Sequence, residues 1–192
     1  EAPLIVVEFT DFQCPSCRRH ALETQPELDR GFVETGKVLW VAKHLPLKMH
    51  PRAPVAAVAA ECAGDQGRFW EMRHLLFEQV EAWSKEDVDA DAELTRLAGR
   101  LSLDIPEFVG CLQGRTGLER VLQDLYDAQG VAQQTPTFIL LKDGTGAVTR
   151  GAKPAEVFAR LLEARLPQKA ETSEEKEPSA AEDRAQPPVD RE

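Results

Sequence analysis

Two cysteines three residues apart form the segment of the sequence best suited to chemistry, Cys14-Pro15-Ser16-Cys17. They follow a short apolar run and stand where a helix is expected to begin, because Pro15 is tolerated in a first helical turn. A helix N-terminus stabilises a thiolate through its free N–H groups and partial positive charge. This arrangement predicts dithiol–disulfide exchange, with an exposed Cys14 as the attacking sulfur and a more buried Cys17 as the resolving sulfur.

Three cationic or ionisable side chains follow directly, Arg18, Arg19 and His20. Cations in a first helical turn oppose the helix dipole, so their position needs a reason. They either help to hold a thiolate or form a solvated face that points elsewhere, and the sequence leaves both interpretations open.

The same cysteines also raise the alternative of a zinc site completed by His20 and a further ligand such as His44 or His50. Structural zinc takes four ligands, typically in paired clusters. No second C-x-x-C and no H-x-x-x-H occurs in the sequence. We therefore predict no metal site.

Glu8 lies inside the apolar run Leu4–Phe9, where a strand otherwise favours Val or Ile. A buried carboxylate is costly unless it is neutral or paired. Glu8 either faces water at a sheet edge or is a buried acid beneath the cysteine pair. The second interpretation predicts a raised pKa and a role in relaying protons to Cys17.

The elements that position these residues begin with a predicted β-α-β unit. Leu4–Phe9 is a β-rich run, a helix kinked near Pro26 follows from Cys14 toward Phe32, and Lys37–Lys43 predicts a second strand. Such a unit implies parallel strands joined by a right-handed crossover.

Helical spacing of apolar residues dominates the middle of the chain, with predicted helices near 53–63, 67–80, 90–100, 105–113 and 115–129. The strand pattern returns at Thr137–Leu141 and Ala147–Arg150. Asp143-Gly144 between them predicts a hairpin. A last helix is expected over Pro154–Leu166.

Length, charge and composition restrict the class of protein further. The 192 residues suit one domain, and the net charge of −10 with no basic stripe disfavours nucleic acid as a partner. The stretch 168–192 has one Val as its only large apolar residue, so we expect a disordered acidic tail. No apolar run of membrane-spanning length occurs. We interpret the sequence as a mature or trimmed chain without its targeting segment.

Three motifs resemble the DsbA-like branch of the thioredoxin superfamily: E-F-T-D-F-Q-C-P-S-C at 8–17, E-C-A-G-D-Q-G-R-F-W at 61–70 and T-P-T-F at 135–138. The resemblance spans about residues 3–166. It implies an α/β protein with a thioredoxin fold and an inserted all-helical domain. Residues 1–50 and 131–167 would form the discontinuous thioredoxin-fold domain and 51–130 the insertion, followed by the tail at 168–192.

The resemblance also implies a cis Pro136 that faces the cysteine pair and takes part in catalysis and substrate binding. The backbone of Thr135 would pair with an extended substrate, next to Pro15 and Ser16. Glu8 falls where the family carries its buried acid. Ser16 stands where the best-known strong oxidant of the family has His, which predicts a milder oxidant. Thr135 resembles isomerase-type and Gram-positive-type members rather than the enteric oxidase, which keeps isomerase or reductase activity open.

Cys62 and Cys111 lie on apolar faces of two predicted helices. They are either free buried core residues or a second, structural disulfide, and an even cysteine count in an extracytoplasmic protein favours the disulfide. The resemblance to relatives with the same local sequence pattern also implies a structural disulfide between Cys62 and Cys111.

The sequence and the resemblance together predict a bacterial, periplasmic or otherwise extracytoplasmic enzyme that introduces disulfides into proteins without a cofactor. Its partners would be proteins with cysteine thiols or disulfides and a membrane-bound oxidant resembling DsbB or vitamin K epoxide reductase. We expect a monomer, because no dimerisation domain precedes the catalytic one. A disulfide isomerase or reductase is the alternative, and a non-catalytic binding or chaperone module is a third.

Overall fold

A four-stranded mixed sheet organises the computed structural model, which describes residues 2–167. In the order β2-β1-β3-β4, its strands are β1 (Leu4–Thr10), β2 (Val38–His44), β3 (Thr137–Lys142) and β4 (Thr145–Arg150). β1 pairs with β2 in parallel, whereas β1–β3 and β3–β4 are antiparallel. The predicted β-α-β unit is therefore confirmed, with strand bounds one residue from those expected.

Helix α1 joins β1 to β2 over residues 15–33 and is not a uniform α-helix. Its consecutive segments are α-helical Pro15–Arg19, π-helical His20–Thr24, α-helical Gln25–Leu28 and π-helical Asp29–Val33. Pro26 lacks an N–H donor, and its ring collides with the carbonyl four residues earlier in a regular α-helix. The first π-helical segment lies just before Pro26. The helix therefore accommodates this proline at the position where the sequence predicts a kink.

Six helices occupy the stretch between β2 and β3, and one follows β4. They are α2 (Ala53–Asp65), α3 (Phe69–Glu78), α4 (Val80–Trp83), α5 (Ala90–Arg100), α6 (Ile105–Gln113), α7 (Thr116–Asp127) and α8 (Ala155–Glu163). The predicted segment 67–80 belongs to two helices, which meet at Gln79. The other predicted helices are confirmed to within a few residues.

The hairpin between β3 and β4 turns at Asp143 and Gly144, with φ values of 50° and 75°. Two consecutive residues of positive φ are characteristic of the type I′ turn, whose twist matches that of the flanking strands. This turn confirms the hairpin predicted from Asp143-Gly144.

The apolar core is organised in layers around the sheet. One cluster packs strand residues such as Val6 and Phe138 against Phe158 of α8. A larger cluster fills the space among the helices and includes both Cys14 and Cys17. The α/β class and the element order are confirmed, while the domain boundaries at 50/51 and 130/131 stay a prediction.

A disulfide joins Cys62 of α2 to Cys111 of α6. Gly117 of α7 lies close to the same place, since a Cβ there would meet Val58 Cγ1 at 3.0 Å and Cys62 Sγ at 3.4 Å. The absence of a side chain at Gly117 thus lets α7 approach α2 closely.

No helix within residues 2–167 is long and apolar enough to cross a bilayer. The expected disordered tail at 168–192 lies outside the described residues.

Candidate active site

Cys14 is the N-cap residue of α1 and Cys17 lies one turn further on. The N–H of Cys14 donates to the Asp11 carbonyl at 3.1 Å, and the Cys14 carbonyl accepts from the Arg18 N–H at 3.0 Å. Both cysteines are free thiols, with Cys17 fully buried and Cys14 only 8% exposed. The expectation of an exposed Cys14 is therefore wrong, because the loop before β3 and the helical region cover part of it.

The pKa of the Cys14 thiol is lowered to about 5. The hydrogen bond from the Cys17 side chain is the largest cause, and burial opposes it. Thr135 and the backbone N–H groups of Ser16 and Cys17 lower the pKa further. These N–H groups belong to the first turn of α1, which has no intrahelical partner for them. The Cys17 side chain, Thr135 and the helix terminus together therefore favour a thiolate on Cys14 at neutral pH.

The pKa of Cys17 moves in the opposite direction, well above its ordinary value. Burial is the main cause, followed by the hydrogen bond with Cys14 and the charge on that sulfur. The neighbouring Thr10 and Thr135 side chains lower the pKa of Cys17, but they offset only part of this rise. In the reduced pair the proton accordingly stays on Cys17 while Cys14 carries the negative charge.

The loop before β3 brings Thr135 and Pro136 to the cysteine pair. The Thr135–Pro136 peptide bond is cis. Cys14 Sγ lies 3.5 Å from the Thr135 carbonyl oxygen, across 121 residues of sequence, and it donates to that oxygen only in its protonated form. The Pro136 carbonyl accepts a hydrogen bond from the Gly151 N–H at 2.8 Å.

Two further predicted contact residues, Pro15 and Ser16, lie between the cysteines at the surface. Pro15 is exposed and Ser16 is partly exposed. The Ser16 hydroxyl accepts a hydrogen bond from Arg19 Nη2 at 3.4 Å. Both side chains are thus accessible beside Cys14.

Glu8 is fully buried, so the interpretation of a solvated edge residue is wrong. Arg73 Nη2 donates to its two carboxylate oxygens at 3.0 and 2.8 Å, and Trp40 Nε1 donates at 3.0 Å. Burial alone would raise the pKa of Glu8, but the Arg73 guanidinium, the His20 ring and these hydrogen bonds outweigh it and lower the pKa. The expected raised pKa is therefore wrong. The partner that reverses it comes from α3, 65 residues away.

His20 points away from the cysteine surface into the aromatic core. Its ring lies 4.6 Å from Phe138 and 5.8 Å from Trp40, centre to centre, and its Nε2 is 3.0 Å from Gln25 Oε1. Burial lowers the pKa of His20, and Glu8 opposes that shift in part. His20 is consequently a neutral core residue at neutral pH.

The other histidines of the zinc alternative are occupied by carboxylates. His44 Nε2 lies 2.9 Å from Glu61 Oε1, and His50 Nδ1 lies 2.7 Å from Asp11 Oδ2. Across the described part of the chain, no three His, Cys, Asp or Glu side chains are grouped to hold a metal ion.

Asp11 belongs to the site, although the sequence interpretation did not identify it, and its partner His50 was considered there only as a possible zinc ligand. Asp11 is buried and accepts hydrogen bonds from the N–H groups of Gln13 and Leu47, at 2.7 and 2.8 Å, as well as from His50. Its carbonyl also holds the Cys14 N–H. Asp11 therefore ties the Cys14 turn to the loop after β2. Its position three residues before Cys14 was the available signal.

Comparisons with known proteins agree with this architecture. A family model described as thioredoxin matches residues 1–164. The Na⁺/H⁺ antiporter NhaA 3 of Salinispora tropica is 38% identical over 170 residues, which are 86% of this chain and 24% of the antiporter. NhaA of Herminiimonas arsenicoxydans is 34% identical over 165 residues, 85% of this chain and 24% of its own length. The chain spans about a quarter of the length of these curated relatives.

Solved structures give the same result for the fold. Oxidised BdbD from Bacillus subtilis superposes with a TM-score of 0.73 and 25% identity, covering 86% of this chain and 88% of that one. Wolbachia pipientis α-DsbA1 superposes with a TM-score of 0.76 and 21% identity, covering 85% and 86%. These proteins thus share the fold of this chain over most of its length.

Proposed function

The chain belongs to the thioredoxin family and has a DsbA-like fold, and on that premise we propose that it is a thiol:disulfide oxidoreductase that introduces disulfides into proteins. One observation carries the proposal, namely the opposite pKa shifts of the two sulfurs at the start of α1. A reactive thiolate on Cys14 and a protonated Cys17 are the states that dithiol–disulfide exchange requires.

The shift at Cys14 favours the oxidising direction. A low thiolate pKa stabilises the reduced enzyme, which makes its disulfide a better oxidant. The pKa of about 5 for Cys14 lies between about 7 for thioredoxin and about 3.5 for DsbA. We therefore infer an oxidant stronger than thioredoxin and milder than DsbA, in agreement with the uncharged Ser16.

The proposed reaction consists of two exchange steps. A substrate thiolate attacks Sγ of Cys14 in the Cys14–Cys17 disulfide, and Cys17 leaves as a thiolate that takes up a proton. A second substrate thiolate then attacks the substrate sulfur of the mixed disulfide, and Cys14 leaves as a stabilised thiolate. The substrate loses two electrons and gains a disulfide, while the enzyme gains two electrons.

The surface around Cys14 suits an extended substrate. We assign substrate contacts to the backbone of Thr135 and to Pro136, Pro15 and Ser16, with the substrate added as a strand. The Thr135 carbonyl is already within 3.5 Å of Cys14 Sγ. Glu8, held ionised by Arg73, would act through its fixed negative charge rather than as a proton donor.

The setting of the reaction is part of the same proposal. We place the enzyme outside the bacterial cytoplasm, as a monomer reoxidised by a membrane-bound partner resembling DsbB or vitamin K epoxide reductase. The curated relatives named as antiporters match over a quarter of their length. We propose that this quarter is a redox domain, and we assign no antiport to this chain. Isomerase or reductase activity is the second candidate, which the resemblance at Thr135 keeps open.

The reduction potential of the Cys14–Cys17 pair tests the proposal. We expect a value between about −270 and −120 mV, the values for thioredoxin and DsbA, measured against glutathione mixtures. A Cys62→Ala/Cys111→Ala variant isolates the couple. Oxidation of reduced, unfolded ribonuclease should require Cys14 and disappear in Cys14→Ser. A thioredoxin-like potential would indicate a reductase, and no exchange at all would refute the enzyme.

A further inference from the structure

Two buried hydroxyl groups near Cys17 have no hydrogen-bond partner. Among residues 2–167, the Oγ1 atoms of Thr10 and Thr135 are both shielded from solvent and neither donates nor accepts a hydrogen bond. An unpaired buried hydroxyl destabilises the folded state, so each of them requires an explanation. Thr135 contributes its carbonyl beside Cys14. Thr10 has no role in the two exchange steps proposed above.

Thr10 is the last residue of β1, and its side chain lies on the side of the sheet that α1 covers. Successive residues of a strand point to opposite faces, so Thr10 shares its face with Glu8 and Val6. Val6 belongs to the apolar cluster that contains Leu28 of α1. Cys17 lies in the first turn of the same helix, and Thr10 is one of the neighbours that lower the pKa of its thiol. The unpaired hydroxyl is therefore next to the resolving sulfur.

Cys17 needs a hydrogen-bond donor when it leaves the disulfide as a thiolate. Its side chain is fully buried, and a buried charge is costly unless hydrogen bonds replace its hydration. Glu8 cannot supply one, because it is held ionised and a carboxylate only accepts hydrogen bonds. Arg73 Nη2 is already bonded to both oxygens of Glu8. The Thr10 hydroxyl, in contrast, is a donor with no other acceptor.

We propose that the Thr10 hydroxyl donates a hydrogen bond to Cys17 Sγ as this sulfur leaves the disulfide. The inference rests on the proposed function. The substrate thiolate forms a bond to Cys14 Sγ, the Cys14–Cys17 bond breaks, and its electron pair goes to Cys17 Sγ. Thr10 keeps its proton throughout, and Cys17 afterwards takes up a proton from water. The hydroxyl thus stabilises the leaving group, and in the reverse direction it stabilises the attacking Cys17 thiolate.

Thr10→Val tests the donor, because valine keeps the shape of threonine and removes the hydroxyl. We expect dithiothreitol to reduce the oxidised variant about tenfold more slowly, as expected for the loss of one hydrogen bond to a developing charge. Thr10→Ser keeps the hydroxyl and should restore the rate. Thr24→Val is the matched control, since Thr24 is also buried but donates to the Lys153 carbonyl at 2.8 Å. Its rate should not change.

A second reaction separates this role from a general disturbance of the site. Cys17→Ala carrying glutathione on Cys14 is also cleaved by dithiothreitol, but Cys17 is not the leaving group there. Thr10→Val in this background should therefore leave the rate unchanged. The reduction potential of the Cys14–Cys17 pair should stay the same as well, because the hydroxyl has no hydrogen bond in the reduced, protonated form.

The outcomes distinguish the role of Thr10 from the proposed function. Oxidation of reduced, unfolded ribonuclease by the unmodified protein is measured in parallel. If ribonuclease is not oxidised, both the oxidoreductase and the role of Thr10 are refuted. If it is oxidised but Thr10→Val keeps the rate, or slows the glutathione reaction equally, only the role of Thr10 is refuted. Thr10→Ala, which also removes the hydroxyl, decides if Thr10→Val does not fold.

Discussion

At Glu8 one distant neighbour reverses the effect of burial. A carboxyl group enclosed in an apolar strand is expected to be neutral, yet Arg73 places a guanidinium nitrogen within 3.0 Å of both its oxygens. Arg73 itself is only 4% exposed, and its side chain also lies over the Phe77 ring. The pair is therefore a buried ion pair, in which the loss of one member leaves the other charge uncompensated.

Arg73→Met should lower the free energy of unfolding by about 3–5 kcal/mol at pH 7, because it leaves a buried carboxylate alone. The lowered pKa of Glu8 gives stability that is present above the ordinary carboxyl pKa and is lost as pH falls through the folded value. In the variant, burial raises the pKa instead, so Glu8 becomes neutral at a higher pH. The difference between the two proteins should consequently narrow toward pH 4 in urea titrations.

Arg96→Met is the matched control for this change. Arg96 pairs with Glu93 on α5, but its side chain is 47% exposed, and exposed ion pairs contribute little. An equal decrease in the free energy of unfolding in the two variants would contradict the buried ion pair. A decrease in Arg73→Met that does not depend on pH would contradict it as well.

At the scale of elements, local patterns were sufficient to predict most of the fold. The spacing of apolar residues predicted the helices between β2 and β3, because the helical period of 3.6 residues can be recognised within a short stretch of sequence. Asp143-Gly144 located the hairpin for the same reason. The ion pair between Glu8 and Arg73 was not predictable, because in the sequence Arg73 looks like an ordinary charged residue on the polar face of an amphipathic helix. The role of Asp11 was not predictable either, because it depends on how the loop after β2 brings His50 to Asp11.

The disulfide between α2 and α6 is an element-scale cross-link that closes a loop of 49 residues. Cross-linking a loop of this length lowers the entropy of the unfolded chain and should stabilise the protein by about 4 kcal/mol. We expect Cys62→Ala/Cys111→Ala to lose about that much in urea unfolding while the Cys14–Cys17 potential stays the same. An unchanged unfolding midpoint would show that the cross-link is not structural. A large shift in potential would show coupling to the site.

At the scale of the whole molecule, polar contacts join the helices after β2 to the sheet and to α1. Arg73 reaches Glu8 of β1, Arg18 reaches the Phe77 carbonyl of α3, and Lys43 of β2 binds Asp124 of α7 at 2.7 Å. The apolar cluster among these helices also includes Cys14 and Cys17. The redox pair is therefore embedded in the packing of the helical region, so its charge state should affect global stability.

That coupling predicts a pH-dependent difference between the reduced and the oxidised protein. The pKa of Cys14 is about 5 in the folded reduced form and returns to its ordinary value, about 8.5, on unfolding. A lowered pKa contributes stability above the unfolded value and loses it as pH falls through the folded one. Between pH 5 and pH 7 the reduced protein should gain about 2 kcal/mol over the oxidised protein, in which no thiolate forms.

Urea titrations of both redox states across this pH range measure the difference, and a Cys62→Ala/Cys111→Ala background restricts the reductant to one cysteine pair. Adding Cys14→Ser to that background removes the thiolate and should abolish the pH-dependent gain. Other titrating groups are common to the two redox states, so their effects cancel in the comparison. Parallel stability curves for the reduced and oxidised proteins would contradict a thiolate on Cys14. The oxidising direction would then lose its physical basis, because stabilisation of the reduced form is what makes the disulfide an oxidant.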